Sequence, residues 1–178
     1  MEKRNGGTII GTANRAVIED SLIEFNSYDE NVWEKTMFNT ETGGYVVTEL
    51  RRIPPIRLKG LRATFKKEQD MCYDLAGFGF GVKHLYERNN NADPDIDLAR
   101  GMHSIVEING IKADLKSLRT ANNIRREAKD VFESGKGCFV VFQFEQHDRR
   151  IPFEIYKLSK KGWHGLYYYA DEKKRHDF

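Results

Sequence analysis

The dipeptide Asn109-Gly110 is the feature that most constrains how this chain can fold. Both central residues of a type I′ turn need positive φ, which asparagine and glycine tolerate best, so the pair predicts a tight β-hairpin. Apolar residues alternate along the two flanking runs and are expected to face a core: Val106, Ile108, Ile111, Ala113 and Leu115. Successive strand residues point to opposite faces, so Glu107, Asp114 and Lys116 should share the other face. The sequence therefore predicts an Asp-x-Lys motif on one face of a strand.

An aspartate two residues before a lysine on one strand face has useful chemistry. The carboxylate of Asp114 can bind a hard divalent cation, and the ammonium of Lys116 can steady a phosphate or an attacking hydroxide. The same pattern also arises on an ordinary solvated strand face, where charges alternate with core residues. The segments on either side of the hairpin help to distinguish a catalytic site from an ordinary solvated strand face.

Periodic apolar residues predict a helix at about residues 122–134, and the aromatic and β-branched run 138–144 predicts a strand buried on both faces. Upstream, residues 66–76 fit a helix, and Glu68 falls on its apolar face. Burying a carboxylate is unfavourable unless it is paired, hydrogen-bonded or bound to metal. Glu68 is therefore a further candidate acid, although a glutamate at the edge of an apolar stripe can also extend outward to solvent.

The two ends of the chain have simpler patterns. Residues 45–50, 153–158 and 165–169 are predicted as strands, and residues 16–25 as a short helix or strand. The aromatic side chains of Trp163 and residues 167–169 could stack on unpaired bases, but such residues more often form the core of a sheet.

Composition suits one domain with an extension. The chain has 178 residues, of which 39% are hydrophobic, so we expect an arm at 1–60 and an α/β domain at 61–178. A net charge of +2 does not by itself indicate nucleic acid, although arginines cluster after the hairpin. The two cysteines exclude a disulfide framework and show no zinc spacing. Without a signal-peptide core or a membrane-length apolar run, we expect a cytoplasmic site of action and no membrane partner.

Five short segments, in this order, carry a family resemblance. They are FNTETGGYVV at 38–47, KEQ at 67–69, VKHLYE at 82–87, INGIKADLKS at 108–117 and NNI at 122–124. With the predicted order of elements, they resemble the PD-(D/E)xK nuclease superfamily. More specifically, they resemble the C-terminal nuclease domains of contact-dependent growth inhibition toxins and their relatives in mobile elements, which cleave RNA, often tRNA.

The resemblance implies an α/β fold, with a mixed β-sheet flanked by helices, and a nuclease that depends on Mg²⁺ or Mn²⁺. It matches Glu68, Asp114 and Lys116 to the catalytic glutamate, second acid and lysine. Such families usually carry an aspartate opposite the second acid, but a regular hairpin here puts Ile105 opposite Asp114. We expect Asp95 to supply the missing carboxylate and to bind the metal with Asp114 and Glu68. Asp97 and Glu107 are the alternatives.

The same comparison implies the partners. Asn122 and Asn123, with the amides at a helix N-terminus, and Arg125 are expected to bind a phosphate. RNA, tRNA before DNA, is the expected substrate, an immunity protein is an expected partner, and self-association is left open. The alternative function is a catalytically degenerate nuclease fold with a binding or structural role in a phage or mobile element.

Overall fold

In the part of the chain that the structure describes, eight strands form one mixed sheet whose order in space follows their order in the chain. The structure is a computed structural model that describes residues 14–86 and 105–178. Within them the strands are β1 Trp33–Phe38, β2 Tyr45–Glu49, β3 Gly81–His84, β4 Ile105–Ile108, β5 Ile111–Leu118, β6 Phe139–Phe144, β7 Gly165–Tyr169 and β8 His176–Asp177. The pairs β2–β3, β5–β6 and β6–β7 are parallel, and the other pairs are antiparallel. The predicted α/β class with a mixed sheet is confirmed.

The helices of these two segments are α1 Arg15–Ser27, α2 Lys59–Gly77, α3 Ile124–Glu133 and α4 Ile151–Ser159. Each of the last three links two neighbouring parallel strands: α2 joins β2 to β3, α3 joins β5 to β6, and α4 joins β6 to β7. No helix of the described residues is long and apolar enough to cross a membrane.

Two cores lie on opposite faces of the sheet. On one face, α2 buries Met71, Cys72 and Leu75 against strand residues that include Val106 and Leu115. On the other face, α3 and α4 pack on β6 and β7, and their buried residues include Ile124, Ala128, Val131, Ile151, Ile155 and Leu158. Because side chains alternate along a strand, Asp114, which lies between Ala113 and Leu115, points to the face of α3 and α4.

The central hairpin forms as predicted. Asn109 and Gly110 have φ of 47° and 83°, and Ile105 pairs with Asp114. Val106, Ile108, Ala113 and Leu115 are buried, but Ile111 is 48% exposed because it lies next to the turn.

The prediction of a strand at residues 153–158 is wrong, because this segment lies in α4. Its apolar residues read as alternating over six residues, but Ile151, Ile155 and Leu158 have helical spacing and are buried together against the sheet. Pro152 in the first turn favours the helix as well.

The edges of the sheet differ from its centre. β1 pairs with β2 through a register shift between Lys35 and Met37, and β8 has two residues. Since β1 and β2 belong to the same sheet as the later strands, residues 33–49 form part of the sheet rather than a separate layer. The division of the chain at residue 60 into two domains stays a prediction.

Candidate functional site

Lys116 lies at the centre of a group of acids, which we call the Lys116 cluster. Its Nζ is 3.0 Å from Asp114 Oδ2, 3.6 Å from Glu127 Oε2 and 3.8 Å from Asp130 Oδ2. Lys136 completes the cluster, with its Nζ 2.6 Å from Asp130 Oδ2. The predicted shared face of Asp114 and Lys116 is confirmed.

Two local patterns build this cluster. The period of β5 directs Asp114 and Lys116 to one face, and α3 packs on that face through its buried stripe. Glu127 and Asp130 are three residues apart and flank the stripe on the side of β5, where they reach Lys116. Sequence reasoning missed both acids, although their position beside the predicted stripe was a usable signal.

Burial makes the Asp114 carboxylate costly. Asp114 is fully buried, whereas the Lys116 side chain is 16% exposed. The Lys116 ammonium is therefore the more exposed member of the pair. Buried ion pairs rarely stabilise a fold more than well-packed apolar residues would, and removing one partner leaves a buried charge. Because this pair contributes little to stability, it is a candidate for chemistry.

Glu68 lies elsewhere. Its carboxylate pairs with the guanidinium of Arg52, and His84 Nε2 lies 3.3 Å from Glu68 Oε2. All three residues are buried, and the ring of Phe65 stacks on His84 at 5.2 Å. We call Arg52, Glu68 and His84 the α2 triad.

The α2 triad lies on the opposite face of the sheet from the Lys116 cluster. His84 shares the strand face of Val82, which packs in the core under α2, whereas Lys116 contacts α3. The structure therefore does not bring Glu68 to Asp114 and Lys116. The helical period predicted that Glu68 lies on the apolar stripe of α2 and left open whether it is buried; it did not predict which face of the sheet α2 covers.

Burial also affects the histidine of the triad. It lowers the pKa of His84, with the Arg52 charge acting in the same direction and Glu68 opposing. His84 is therefore neutral near pH 7 and serves as a packed polar residue.

The other predicted acids have different positions. Glu107 is on the face of Asp114, and its Oε1 accepts a hydrogen bond of 2.6 Å from Lys83 Nζ. Asp95 and Asp97 lie outside the described residues, so their roles stay predictions.

The predicted phosphate-binding residues lie at the start of α3. Asn122 and Asn123 form an exposed 3₁₀ turn in which Thr120 Oγ1 accepts a hydrogen bond from the Asn122 amide. Arg125 is exposed and lines two neighbouring grooves of about 250 and 310 Å³. These residues are open to solvent, as contact with a phosphate requires.

The donor chemistry of the Lys116 cluster suits a hard cation in part. Its carboxylates offer the oxygen ligands that Mg²⁺ and Mn²⁺ prefer, but an ammonium stands between them. Residues 14–86 and 105–178 hold no group of three or more histidine, cysteine or acidic side chains placed to bind a metal ion. Asp114 fits the role of one ligand, and a complete site needs a further acid such as Asp95.

Comparison with known proteins gives one informative result. No family model and no curated protein matches the sequence. The fold matches a chain of the CdiA-CT/CdiI toxin and immunity complex from Burkholderia pseudomallei, with a TM-score of 0.51 and 18% identity. The match covers 75% of this chain and 97% of the other. The two chains share a fold, while membership of the PD-(D/E)xK superfamily stays a prediction.

Proposed function

We propose that this protein is a toxin-like endonuclease that cleaves RNA, tRNA before DNA, with Asp114 and Lys116 as its catalytic pair. The observation that carries the proposal is the fully buried Asp114 carboxylate held 3.0 Å from the Lys116 ammonium. The fold shared with a chain of a toxin and immunity complex supports it. The Lys116 cluster includes side chains that reach solvent and the α2 triad does not, so the cluster is the better placed of these two for a phosphate substrate.

In this mechanism Lys116 acts on the phosphate. Its ammonium donates hydrogen bonds to a non-bridging oxygen and offsets the charge that develops on the phosphorane-like transition state. Asp114 holds the ammonium on the strand face, while Glu127 and Asp130 limit its movement from the side of α3. Arg125 and the exposed side chains of Asn122 and Asn123 would bind a neighbouring phosphate, since the amides of Ala121 and Asn122 already donate to Asp148 and Thr120.

Asp114 and Asp95 would hold the proposed Mg²⁺ or Mn²⁺. When bound, such an ion supplies an activated water and a positive charge beside the phosphate. Glu68 lies outside this shell, because the sheet separates it from Asp114.

The shared fold supports a proposed protein partner. The solved complex contains a toxin and an immunity protein. We propose that an immunity protein likewise binds this chain and blocks access to the Lys116 cluster.

Cleavage by purified protein tests the proposal directly. Total tRNA and DNA are incubated with wild type, with Mg²⁺, Mn²⁺ or a chelator, and products are resolved on gels. We expect cleavage of tRNA that requires the metal and falls by about 100-fold or more in Lys116→Gln and in the double variant Asp114→Asn/Lys116→Gln. Lys112→Ala, on the same strand face, is the matched control and should keep its activity.

The double variant shows whether activity is lost because the catalytic pair is missing or because the protein has unfolded. A single change leaves a buried charge unpaired, whereas the double change leaves two neutral polar groups. Asp95→Asn should reduce metal-dependent cleavage as strongly as Lys116→Gln. Chelator-resistant cleavage, or a folded double variant with wild-type activity, would show that the mechanism is wrong.

One observation favours a second function. Ile105 pairs with Asp114 where the resembling families carry an acid. A nuclease fold that has lost this acid could serve as a binding or structural protein of a phage or mobile element. Wild type that binds RNA but does not cleave it with either metal would support this alternative.

A further inference from the structure

The solvent face of α4 carries an unusual stripe. Phe153, Tyr156, Lys157 and Lys160 follow the spacing i, i+3, i+4 and i+7, which places them on one side of the helix. Phe153 is 61% exposed and Tyr156 is 56% exposed. The opposite side of α4 is the buried one, with Ile151, Ile155 and Leu158 in the core. We call these four exposed residues the α4 stripe.

Each aromatic ring of the stripe has a lysine over it. Lys157 Nζ lies 4.3 Å from the centre of the Phe153 ring, and Lys160 Nζ lies 5.1 Å from the centre of the Tyr156 ring. Exposed aromatic residues that alternate with cations combine a surface for stacking with a positive charge.

A basic groove adjoins the stripe. It is lined by Arg125, Glu154, Lys157, Leu158 and Lys161 and has a volume of about 250 Å³. Glu154, its acidic residue, is paired with Lys157 at 2.7 Å. Among the residues that the structure covers, Arg125 and Lys161 form no ion pair, so their charges are available to an anion.

The groove and the Lys116 cluster both include residues of α3. α3 carries Arg125 on the side of α4 and Glu127 on the side of β5, where it contacts Lys116. A chain that lies along α4 and the groove therefore reaches the helix that covers the proposed catalytic pair.

We propose that the α4 stripe and this groove bind single-stranded RNA. Two unpaired bases stack on Phe153 and Tyr156, and the phosphates between and beyond them contact Lys160, Lys161 and Arg125. This inference deepens the proposed function, since it names the surface that holds the substrate. Single strands are favoured over duplexes because only unpaired bases expose a ring face for stacking. RNA is favoured over a protein partner because an apolar protein surface would have to cover the ammonium groups of Lys157 and Lys160.

Binding can be measured without cleavage. The probe is a fluorescein-labelled RNA of about a dozen nucleotides, either single-stranded or annealed to its complement, in a buffer with chelator. Fluorescence anisotropy gives the Kd. We expect Phe153→Ala/Tyr156→Ala to weaken single-strand binding by about tenfold or more and duplex binding much less. DNA of the same sequence distinguishes a preference for RNA from one for any single strand.

Two further variants sharpen the test. Lys160→Ala/Lys161→Ala should weaken single-strand and duplex binding alike. It should also reduce the slope of log K against log salt concentration by about one to two, because fewer counterions are released on binding. Val17→Ala/Ile23→Ala on α1 removes two other exposed apolar side chains and should leave the Kd unchanged. Melting temperatures confirm that each variant is folded.

The outcomes separate this inference from the proposed function. Wild-type affinity in Phe153→Ala/Tyr156→Ala overturns the inference, and cleavage by that variant at the wild-type rate leaves the function standing. If wild type cleaves no RNA but Phe153→Ala/Tyr156→Ala still weakens single-strand binding, the inference stands and the proposed function is wrong. If sedimentation shows that wild type self-associates through the stripe, and the Kd for RNA does not change when the stripe is mutated, the stripe is a protein interface and the proposal fails.

Discussion

Glu68 and Asp114 are both buried acids, but their partners differ. Glu68 pairs with Arg52 beside a neutral histidine, whereas Asp114 pairs with a lysine that also contacts two acids of α3. The first arrangement is enclosed under α2 and fixes the packing of that helix. The second reaches solvent through the side chains of Lys116 and Asp130, where a substrate could approach.

At this scale we predict that Glu68→Ala destabilises the fold. The change leaves the buried guanidinium of Arg52 without its acid, and such losses cost about 3 kcal/mol or more. Urea unfolding measures the free energy. Glu19→Ala is the control, because it breaks an exposed pair with Arg15 that should contribute less than about 1 kcal/mol. Equal effects of the two changes would contradict a structural role for Glu68.

His84 gives a prediction for pH. Burial lowers its pKa in the folded protein below its ordinary value of 6.5. As the pH falls below 6.5, the histidine of the unfolded chain binds a proton while His84 in the folded protein stays neutral. The free energy of unfolding therefore decreases as the pH falls. In His84→Gln this decrease should be smaller by up to about 1.4 kcal/mol per pH unit. Urea unfolding at pH 7.5 and at lower pH tests it, and parallel pH dependences in the two proteins would contradict it.

The face to which a side chain points was predictable where a single strand or turn determines it. The strand period and the Asn109-Gly110 turn predicted that Ile105 faces Asp114 and that Lys116 shares its face, and both are confirmed. The site of Glu68 depends on which face of the sheet α2 covers, a tertiary choice that its own stripe does not encode. Trp163 and Tyr168 were candidates for stacking on bases, but Tyr168 is buried and Trp163 stacks on Phe132.

At the scale of elements, long periodic patterns predicted more than short ones. The helix expected at 122–134 forms as α3, and the buried strand expected at 138–144 forms as β6. The six-residue segment 153–158 fits both periods, and its packing against β6 and β7 selects the helix. The proposed RNA surface depends on that choice, because a helix places Phe153 and Tyr156 on one exposed side, whereas a strand would point them to opposite faces.

Packing of α2 on β2 gives a prediction at this scale. A Cβ added to Gly44 would lie 2.0 Å from the Ala76 carbonyl oxygen at the end of α2. We expect Gly44→Ala to lower the free energy of unfolding by at least about 2 kcal/mol, since the helix must move away. Gly60 lies in α2 with nothing within 4 Å of an added Cβ, so Gly60→Ala should be neutral or stabilise by up to about 1 kcal/mol. Thermal unfolding of both variants tests this, and similar melting temperatures would contradict it.

At the scale of the molecule, the sheet spans both sides of the expected domain boundary. β2 pairs with β3, and Val46 of β2 packs in the core under α2. The expected boundary at residue 60 rests on length and composition, and long-range strand pairing leaves no mark in composition.

Truncation tests the boundary. A chain of residues 61–178 lacks β1, β2 and the start of α2, so we expect it to show no cooperative thermal transition. A chain that begins at residue 28 loses α1, which has no buried residues, and should keep its transition at a lower temperature. Circular dichroism measures both. Cooperative unfolding of residues 61–178 alone would instead support the two-domain division.

The two outer strands determine how other chains can approach. An exposed strand is a template for backbone pairing with a second molecule, and proteins avoid such pairing with short or irregular edges. Here one border strand is interrupted between Lys35 and Met37, and the other ends after two residues. Within residues 14–86 and 105–178, neither border offers a long, regular row of amide and carbonyl groups, which disfavours fibril-like stacking there. A protein that binds beside either of these described strands is therefore expected to contact side chains rather than to extend the sheet.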